Sequence, residues 1–241
     1  YSKVVYETKT EKIKPYTMKK NLSLRDVIAL IAATAPVIYL TAIWQKIPAI
    51  VNTHYNIRFE ADAQGSKNQI LVASAVLAVI SLGVYFLMKF IHRLDPKRKD
   101  KDNTGRFEKI GLIATVFMAI INFIIIESAA SNALLMKKAL VPVLGIMFAF
   151  IGNYMHNLKP NYFAGLRLPW TLNNETNWKM THQLTGKLWF WGGLVIALLS
   201  LLLPYKGGLY IFIAIMAVIT IIPCFYSYSL YKKEKQSTLT S

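Results

Sequence analysis

Few side chains in this chain have types and spacings that could do chemistry. The histidines are His54, His92, His156 and His182. The sequence contains no H-E-x-x-H zinc motif, no G-x-S-x-G nucleophile motif and no phosphate-binding P-loop. A metal shared by His156, His182 and Glu175 would need a ligand spacing that matches no known pattern. The single cysteine, Cys224, excludes a disulfide framework and a cysteine-based metal site. We therefore expect no catalytic set, no metal and no cofactor.

Long apolar runs must position whatever function the chain has. Of its 241 residues, 54% are hydrophobic, yet the net charge is +16. Apolar runs of about 18 or more residues predict transmembrane helices, because about 20 residues at a rise of about 1.5 Å cross the hydrocarbon core. Six spans are predicted, of which the fifth is short: Val27–Trp44, Ile70–Ile91, Ile110–Glu127, Leu135–Tyr154, Leu188–Leu203 and Leu209–Tyr226. The sequence thus predicts an all-α, polytopic membrane protein with about six transmembrane helices.

The basic residues predict how these helices are oriented. Most of the 28 Lys and Arg residues lie on the side of both chain termini, in residues 3–25, 93–109, 159–187 and 232–235. Cytoplasmic connections carry such an excess, so we expect a multi-pass protein of the cell membrane with both termini in the cytoplasm. Basic clusters beside spans also attract anionic lipid head groups. The run "DPKRKDKDNTGR" lacks interleaved aromatic residues and contains three Asp, which argues against nucleic acid as a partner.

The stretch "KPNYFAGLRLPWTL", Lys159 to Leu172, is the most unusual connection between spans. Gly165 can take backbone angles that other residues avoid. Pro160 and Pro169 each fix a turn. Arg167 can form bidentate bonds to a carboxylate or phosphate. Tyr162, Phe163 and Trp170 suit the head-group region of a membrane.

The residues that follow this stretch predict a helix. The chain reads as N-capped at Asn173, and Trp178, Thr181, His182 and Thr185 share one helical face at three- and four-residue steps. Residues 153–187 are therefore predicted to form an amphipathic hairpin on the inner face. On the other side, residues 45–69 are predicted to form an outer loop.

The inner stretch resembles the signature of the SdpI family, membrane proteins named for immunity to the sporulation-delaying toxin. The family pattern is roughly N-x5-K-P-N-x-x-x-G-x-R-x-P-W-T-L, followed by W-x-x-T-H-x-x-x-G. Every position is filled here, from Asn153 to Gly186. The resemblance covers about 80 to 90 residues.

The outer connection is similar to a small domain of unknown function that often precedes this family segment. The matching residues are Pro48, His54-Tyr55-Asn56, Asp62 and Gly65-Ser66-Lys67. Two positions depart from its pattern: Asn52 stands where a Pro is usual, and the Gly after the Asn is replaced near Phe59. These departures change the expected turn geometry of the outer loop.

The resemblance implies immunity rather than catalysis. Family members protect against a secreted antimicrobial peptide, and some hold a cytoplasmic repressor at the membrane. The implied partners are therefore membrane lipids, a peptide toxin outside and a repressor inside. The recognition candidates are His54, Asn56, Asp62, Lys159, Pro160, Asn161, Gly165, Arg167, Pro169, Trp170, Trp178, Thr181 and His182. Two alternatives stay open: a transporter of a small solute or lipid, and a membrane enzyme that uses His182, Arg167 and Glu175.

The predicted organisation has four parts. Residues 1–24 form a polar N-terminal extension, and residues 25–109 form an N-terminal membrane half that contains the outer loop. Residues 110–231 form the SdpI-like membrane half, and residues 232–241 form a cytoplasmic tail.

Overall fold

A computed structural model describes residues 22–56, 60–91, 101–131, 134–161 and 163–240. Most of the predicted N-terminal extension lies outside the described residues. The predicted interfacial residue Tyr162, the departure near Phe59, His92 and much of the basic run at residues 95–106 also lie outside them or have undescribed side chains.

Helices dominate the described part of the chain. They are α1 (Leu24–Ala42), α2 (Lys67–Phe90), α3 (Lys101–Ala130), α4 (Leu134–Met155), α5 (Pro169–Asn173), α6 (Glu175–Leu202) and α7 (Tyr205–Thr240). Within these described residues, six helices, all except the short α5, are long and apolar enough to cross a membrane. The predicted all-α, six-span membrane class is confirmed. The end of the bundle where α1 begins and α7 ends is called the inner end below, after the predicted orientation.

The helix of the fifth span begins close to the predicted cap at Asn173 and well before its apolar run. Helix α6 runs without a break from Glu175 to Leu202, whereas the apolar run alone placed the start of this span at Leu188. Its N-cap is Asn174, one residue after the predicted Asn173, and the Asn174 side chain accepts the backbone N–H of Asn177 at 2.8 Å. The second limb of the predicted inner hairpin is therefore the polar first part of a membrane-spanning helix. Helix α7 similarly continues through most of the predicted tail.

The predicted outer loop contains a β-hairpin that the sequence analysis did not foresee. Strands β1 (Ile50–Tyr55) and β2 (Ala61–Ser66) pair antiparallel, with a register shift around His54. The hairpin is anchored by Val51, which is buried in a cluster with the outer ends of the helices. That cluster consists of Leu40, Ile47, Val51, Ile70 and Ile126.

A charged network joins α1, α2 and α3 at the inner end. Asp26 is buried and caps α1 by accepting the Ser23 backbone N–H at 2.9 Å. The same carboxylate accepts the Tyr85 hydroxyl at 2.7 Å and pairs with Lys89 on α2. Burying a carboxylate is costly unless it is paired and hydrogen-bonded. These contacts meet that requirement, and Glu108 on α3, which pairs with Arg25, joins the third helix end to the network.

Helices α4 and α6 pack with their backbones in close contact. A Cβ atom added to Gly145 would lie 2.7 Å from the backbone nitrogen of Ala197 and 2.7 Å from the carbonyl oxygen of Gly193. A Cβ on Gly186 would lie 2.8 Å from the carbonyl oxygen of Gly152. In lipid there is little hydrophobic drive between helices, so small residues stabilise helix pairs by allowing this close approach.

Gly145→Ala should therefore destabilise the protein, whereas Gly83→Ala should not. The added methyl group meets backbone atoms at Gly145 but finds no atom within 4 Å at Gly83, a helical glycine of α2. We expect a loss of roughly 1–3 kcal/mol in the free energy of unfolding for Gly145→Ala. Titration of the purified variants from mild detergent into sodium dodecyl sulfate measures this. Equal stability of the two variants would contradict the close α4–α6 packing.

Candidate functional site

The signature loop, residues 156–173, connects α4 to α6 and ends in the short helix α5. Its first turn is organised by Asn161, whose side chain is almost completely buried. The Asn161 side-chain oxygen accepts the backbone N–H groups of Phe163 at 2.9 Å and Ala164 at 2.8 Å. Its amide donates to the Lys159 carbonyl at 2.9 Å. One side chain thereby satisfies three backbone groups of an irregular segment.

His182 fixes the middle of the signature loop to α6. Its Nε2 atom accepts the Leu166 backbone N–H at 3.0 Å, and its Nδ1–H donates to the Trp178 carbonyl at 2.8 Å. These two contacts assign the neutral Nδ1–H tautomer. The imidazole also stacks on the Trp178 indole, with centroids 3.9 Å apart and an interplanar angle of 18°.

Gly165 is required where the loop passes over this ring. Its φ is +104°, a backbone conformation that residues with a Cβ rarely adopt. A Cβ at this position would also overlap the His182 imidazole, lying 2.9 Å from Cδ2. Gly165 is therefore required both by its positive φ and by the close approach of the backbone to the His182 ring.

Trp178 and Thr171 complete the attachment of the loop. Trp178 has no exposed surface and donates its indole N–H to the Leu158 carbonyl at 2.8 Å. It packs with Leu158 against Ile91 and Phe107, which joins the loop to the N-terminal half. The Thr171 hydroxyl accepts the Leu168 N–H at 2.9 Å and lies 2.8 Å from the Leu166 carbonyl, which it can donate to.

A second set of contacts clamps α7 to the signature loop. Trp170 donates its indole N–H to the Ser227 hydroxyl at 3.1 Å. Its ring lies over Tyr231 and Tyr228, with centroids 5.7 and 5.4 Å away. The Asn177 amide donates to the Ser227 carbonyl at 3.0 Å. Trp170, which was expected to anchor the loop in the lipid head groups, instead packs against a protein helix.

The predicted inner recognition residues separate into two groups. Asn161, Trp178, Thr181 and His182 are buried and hold the loop in place. Thr181 donates its hydroxyl to the Asn177 side chain at 3.0 Å. By contrast, Lys159 and Arg167 are exposed, Pro169 begins α5, and Pro160 is partly buried. Lys159 and Arg167 are thus the basic positions of the signature pattern that lie on the surface of the loop.

A metal ion shared by His156, His182 and Glu175 finds no support in this geometry. Both ring nitrogens of His182 are occupied by hydrogen bonds to the backbone, so the ring cannot ligate a metal without breaking the loop. Among the described residues, no group of three or more His, Cys, Asp or Glu side chains could hold a metal ion.

The predicted outer recognition residues come together on the β-hairpin. His54 Nδ1 lies 2.6 Å from a carboxylate oxygen of Asp62 on the opposite strand, and their side chains are 70% and 44% exposed. Asn56 closes the hairpin by accepting the Glu60 backbone N–H at 3.0 Å. This exposed pair lies between the C-terminal end of α1 and the N-terminal end of α2, at the end of the bundle opposite to the signature loop.

A recess opens beside the signature loop at the inner end. This inner recess has a volume of about 860 Å³ and lies between residues 156–160 and the first turns of α6. Its polar lining includes Asn157, Lys159, Glu175, Thr176, Lys179 and Gln183. The sequence analysis singled out Lys159 but missed Lys179, which lies eight residues before Lys187 on the same helix.

Sequence comparisons agree with the resemblance carried by this loop. Residues 157–227 match the model of the SdpI/YfhL protein family. A 91-residue stretch is 37% identical to "Immunity protein SdpI" of Bacillus subtilis (strain 168) and covers 37% of this chain and 42% of that protein. The matched stretch thus spans less than half of that relative. No solved structure matches the chain.

The matched residues coincide with the signature loop and with the contacts that hold it to α7. It begins at Asn157, at the start of the signature loop, and ends at Ser227, which receives the Trp170 indole N–H. The matched residues therefore comprise nearly all of the signature loop together with α5, α6 and most of α7. The β-hairpin lies outside the matched residues, and its likeness to a separate small domain stays a prediction.

Trp170→Ala should release the inner end of α7, whereas Trp191→Ala should not. The first change removes an indole hydrogen bond and two ring contacts, and the second removes a Trp side chain that is 65% exposed on α6. We expect trypsin to cleave after Lys232, Lys233 or Lys235 roughly tenfold faster in Trp170→Ala, because cleavage follows the population of the released state. Trp170→Phe, which keeps a ring but loses the N–H donor, should fall between. Wild-type cleavage rates in Trp170→Ala would refute the clamp.

Proposed function

We propose that this chain is a membrane immunity protein that protects the producing cell against a secreted antimicrobial peptide. Support comes from the family match, from the printed name of its relative, and from the six apolar helices. The observation that carries the proposal furthest is the arrangement of the signature. Its buried polar residues lock a loop in place, and that loop displays the exposed residues Lys159 and Arg167.

The proposed orientation places the signature loop in the cytoplasm and the β-hairpin outside the cell membrane. In this arrangement the His54–Asp62 pair faces the side from which a secreted peptide arrives. Arg167 faces the side where a cytoplasmic repressor would bind. A guanidinium offers a planar fork of donors that matches a carboxylate, so an acidic surface on the partner would fit it. We further propose that the chain signals by holding such a repressor at the membrane.

Transport receives less support from the buried polar groups of the spans. A transporter needs polar side chains that face each other across a cavity. The Asn122 amide donates to the Ser74 carbonyl at 3.1 Å, and the Thr115 hydroxyl lies 3.0 Å from the Ser81 carbonyl. These contacts hold α2 against α3 by side chain to backbone hydrogen bonds.

Arg167→Lys should impair protection nearly as much as Arg167→Ala. Lysine keeps the positive charge but loses the planar fork, and a charge-assisted bidentate contact is worth roughly 1.5–3 kcal/mol. The measurement is survival of a deletion strain, complemented with each variant, against antimicrobial peptides secreted by the same or related strains.

His54→Ala and Asp62→Ala should also lower survival if the hairpin senses the peptide.

Lys233→Ala is the matched control, because it removes a cation from the same end of the bundle, on the exposed end of α7. It should protect as well as the wild type at equal protein level. If the deletion strain is as resistant as its parent to every peptide tested, the immunity proposal is wrong. Full protection by Arg167→Lys would reduce Arg167 to a charge that orients the helices.

A further inference from the structure

The inner recess is framed by two cationic side chains on separate elements. Lys159 projects from the signature loop, and Lys179 from the second turn of α6. Neutral hydrogen-bonding side chains also line the recess: Asn157, Thr176 and Gln183. A concave site with two ammonium groups and several neutral donors is suited to an anion with several oxygen atoms.

The walls of the recess are held in fixed positions. Trp178, which is fully buried, donates its indole N–H to the Leu158 carbonyl and so ties the loop wall to the helix wall. The same indole stacks on His182, whose ring holds Leu166. A ligand would therefore enter a preorganised site and would not need to order the loop, which favours affinity.

The recess lies at the level of lipid head groups. Lys179, Gln183 and Lys187 follow one another at four-residue steps along α6, so they lie near one face. The uninterrupted apolar part of α6 begins at Leu188. Gln183 is five residues earlier, roughly 7 Å along the helix from this apolar part, which puts the recess at the polar boundary of the bilayer.

We propose that the inner recess binds the phosphoryl group of an anionic phospholipid, with Lys159 and Lys179 as its cationic contacts. Basic pockets beside membrane-spanning helices on the cytoplasmic side are suited to such head groups. Free phosphate shares the same chemistry, but the position of the recess at head-group level favours the lipid. This site is independent of the proposed immunity function, because neither the toxin nor a repressor enters the argument.

Glu175 makes a specific contribution to this site. Its carboxylate also lines the recess and would repel a bound phosphoryl group. Removing that charge by Glu175→Gln should strengthen lipid binding by a few fold. Removing the positive charges of Lys159 and Lys179 should weaken lipid binding.

The test uses the purified full chain in a neutral detergent, titrated with a short-chain phosphatidylglycerol and with the matched phosphatidylcholine. The double variant Lys159→Gln, Lys179→Gln should bind phosphatidylglycerol about 30-fold more weakly than the wild type, since each cation near a lipid surface contributes about fivefold. Both lysines are exposed, so the variant should fold, and its thermal stability confirms this.

The matched control is Lys233→Gln, Lys235→Gln, which removes the same charge from the exposed end of α7. Its affinity should stay near that of the wild type. Equal losses in the two double variants, or equal binding of phosphatidylcholine, would overturn the proposal in favour of general attraction. If inorganic phosphate binds the wild type as tightly as phosphatidylglycerol does, free phosphate is the ligand and the lipid assignment is wrong. Weaker binding by Glu175→Gln would also contradict the site.

Discussion

The inner end of this protein depends on one buried imidazole. His182 accepts a backbone N–H from the signature loop through Nε2 and donates from Nδ1 to its own helix. A buried polar group is costly unless its donors and acceptors are satisfied, and here both ring nitrogens are. The loop passes directly over this ring, so position 165 has no space for a side chain. Trp178 closes the other face of the ring by stacking.

The consequences of that contact extend outward from the loop. With Leu166 fixed, Thr171 can bridge the backbone before α5, and Trp170 reaches Ser227 on α7. The exposed residues Lys159 and Arg167 are then held on a defined surface rather than on a mobile segment. This explains in physical terms why one short motif combines buried polar side chains with exposed basic ones. The first kind builds the surface, and the second kind is available for contact.

Hydropathy was sufficient to predict the six spans, but it misjudged segments whose burial is not in lipid. Capping and helical spacing predicted the N-cap of α6 to within one residue, whereas the apolar run alone began at Leu188, because residues 175–187 are polar and bury one face against protein. The β-hairpin was missed because Val51 is the buried residue of its strands, and no residue of β2 is buried, so no alternating apolar pattern marks it. The helical face of Trp178, Thr181 and His182 was predictable from spacing. Their function in holding Leu166 and Leu158 was not, because those contacts join residues 16 and 20 positions apart.

The protonation state of His182 tests the central contact most directly. Nitrogen-15 NMR of the protein with labelled histidine, assigned with a His182→Gln variant, reports which ring nitrogen carries a proton. The account predicts the neutral Nδ1–H tautomer at neutral pH, with an unprotonated Nε2 coupled through its hydrogen bond to the Leu166 amide. An imidazolium, or a tautomer protonated on Nε2, would leave the Leu166 N–H without its acceptor and would contradict this description of the signature loop.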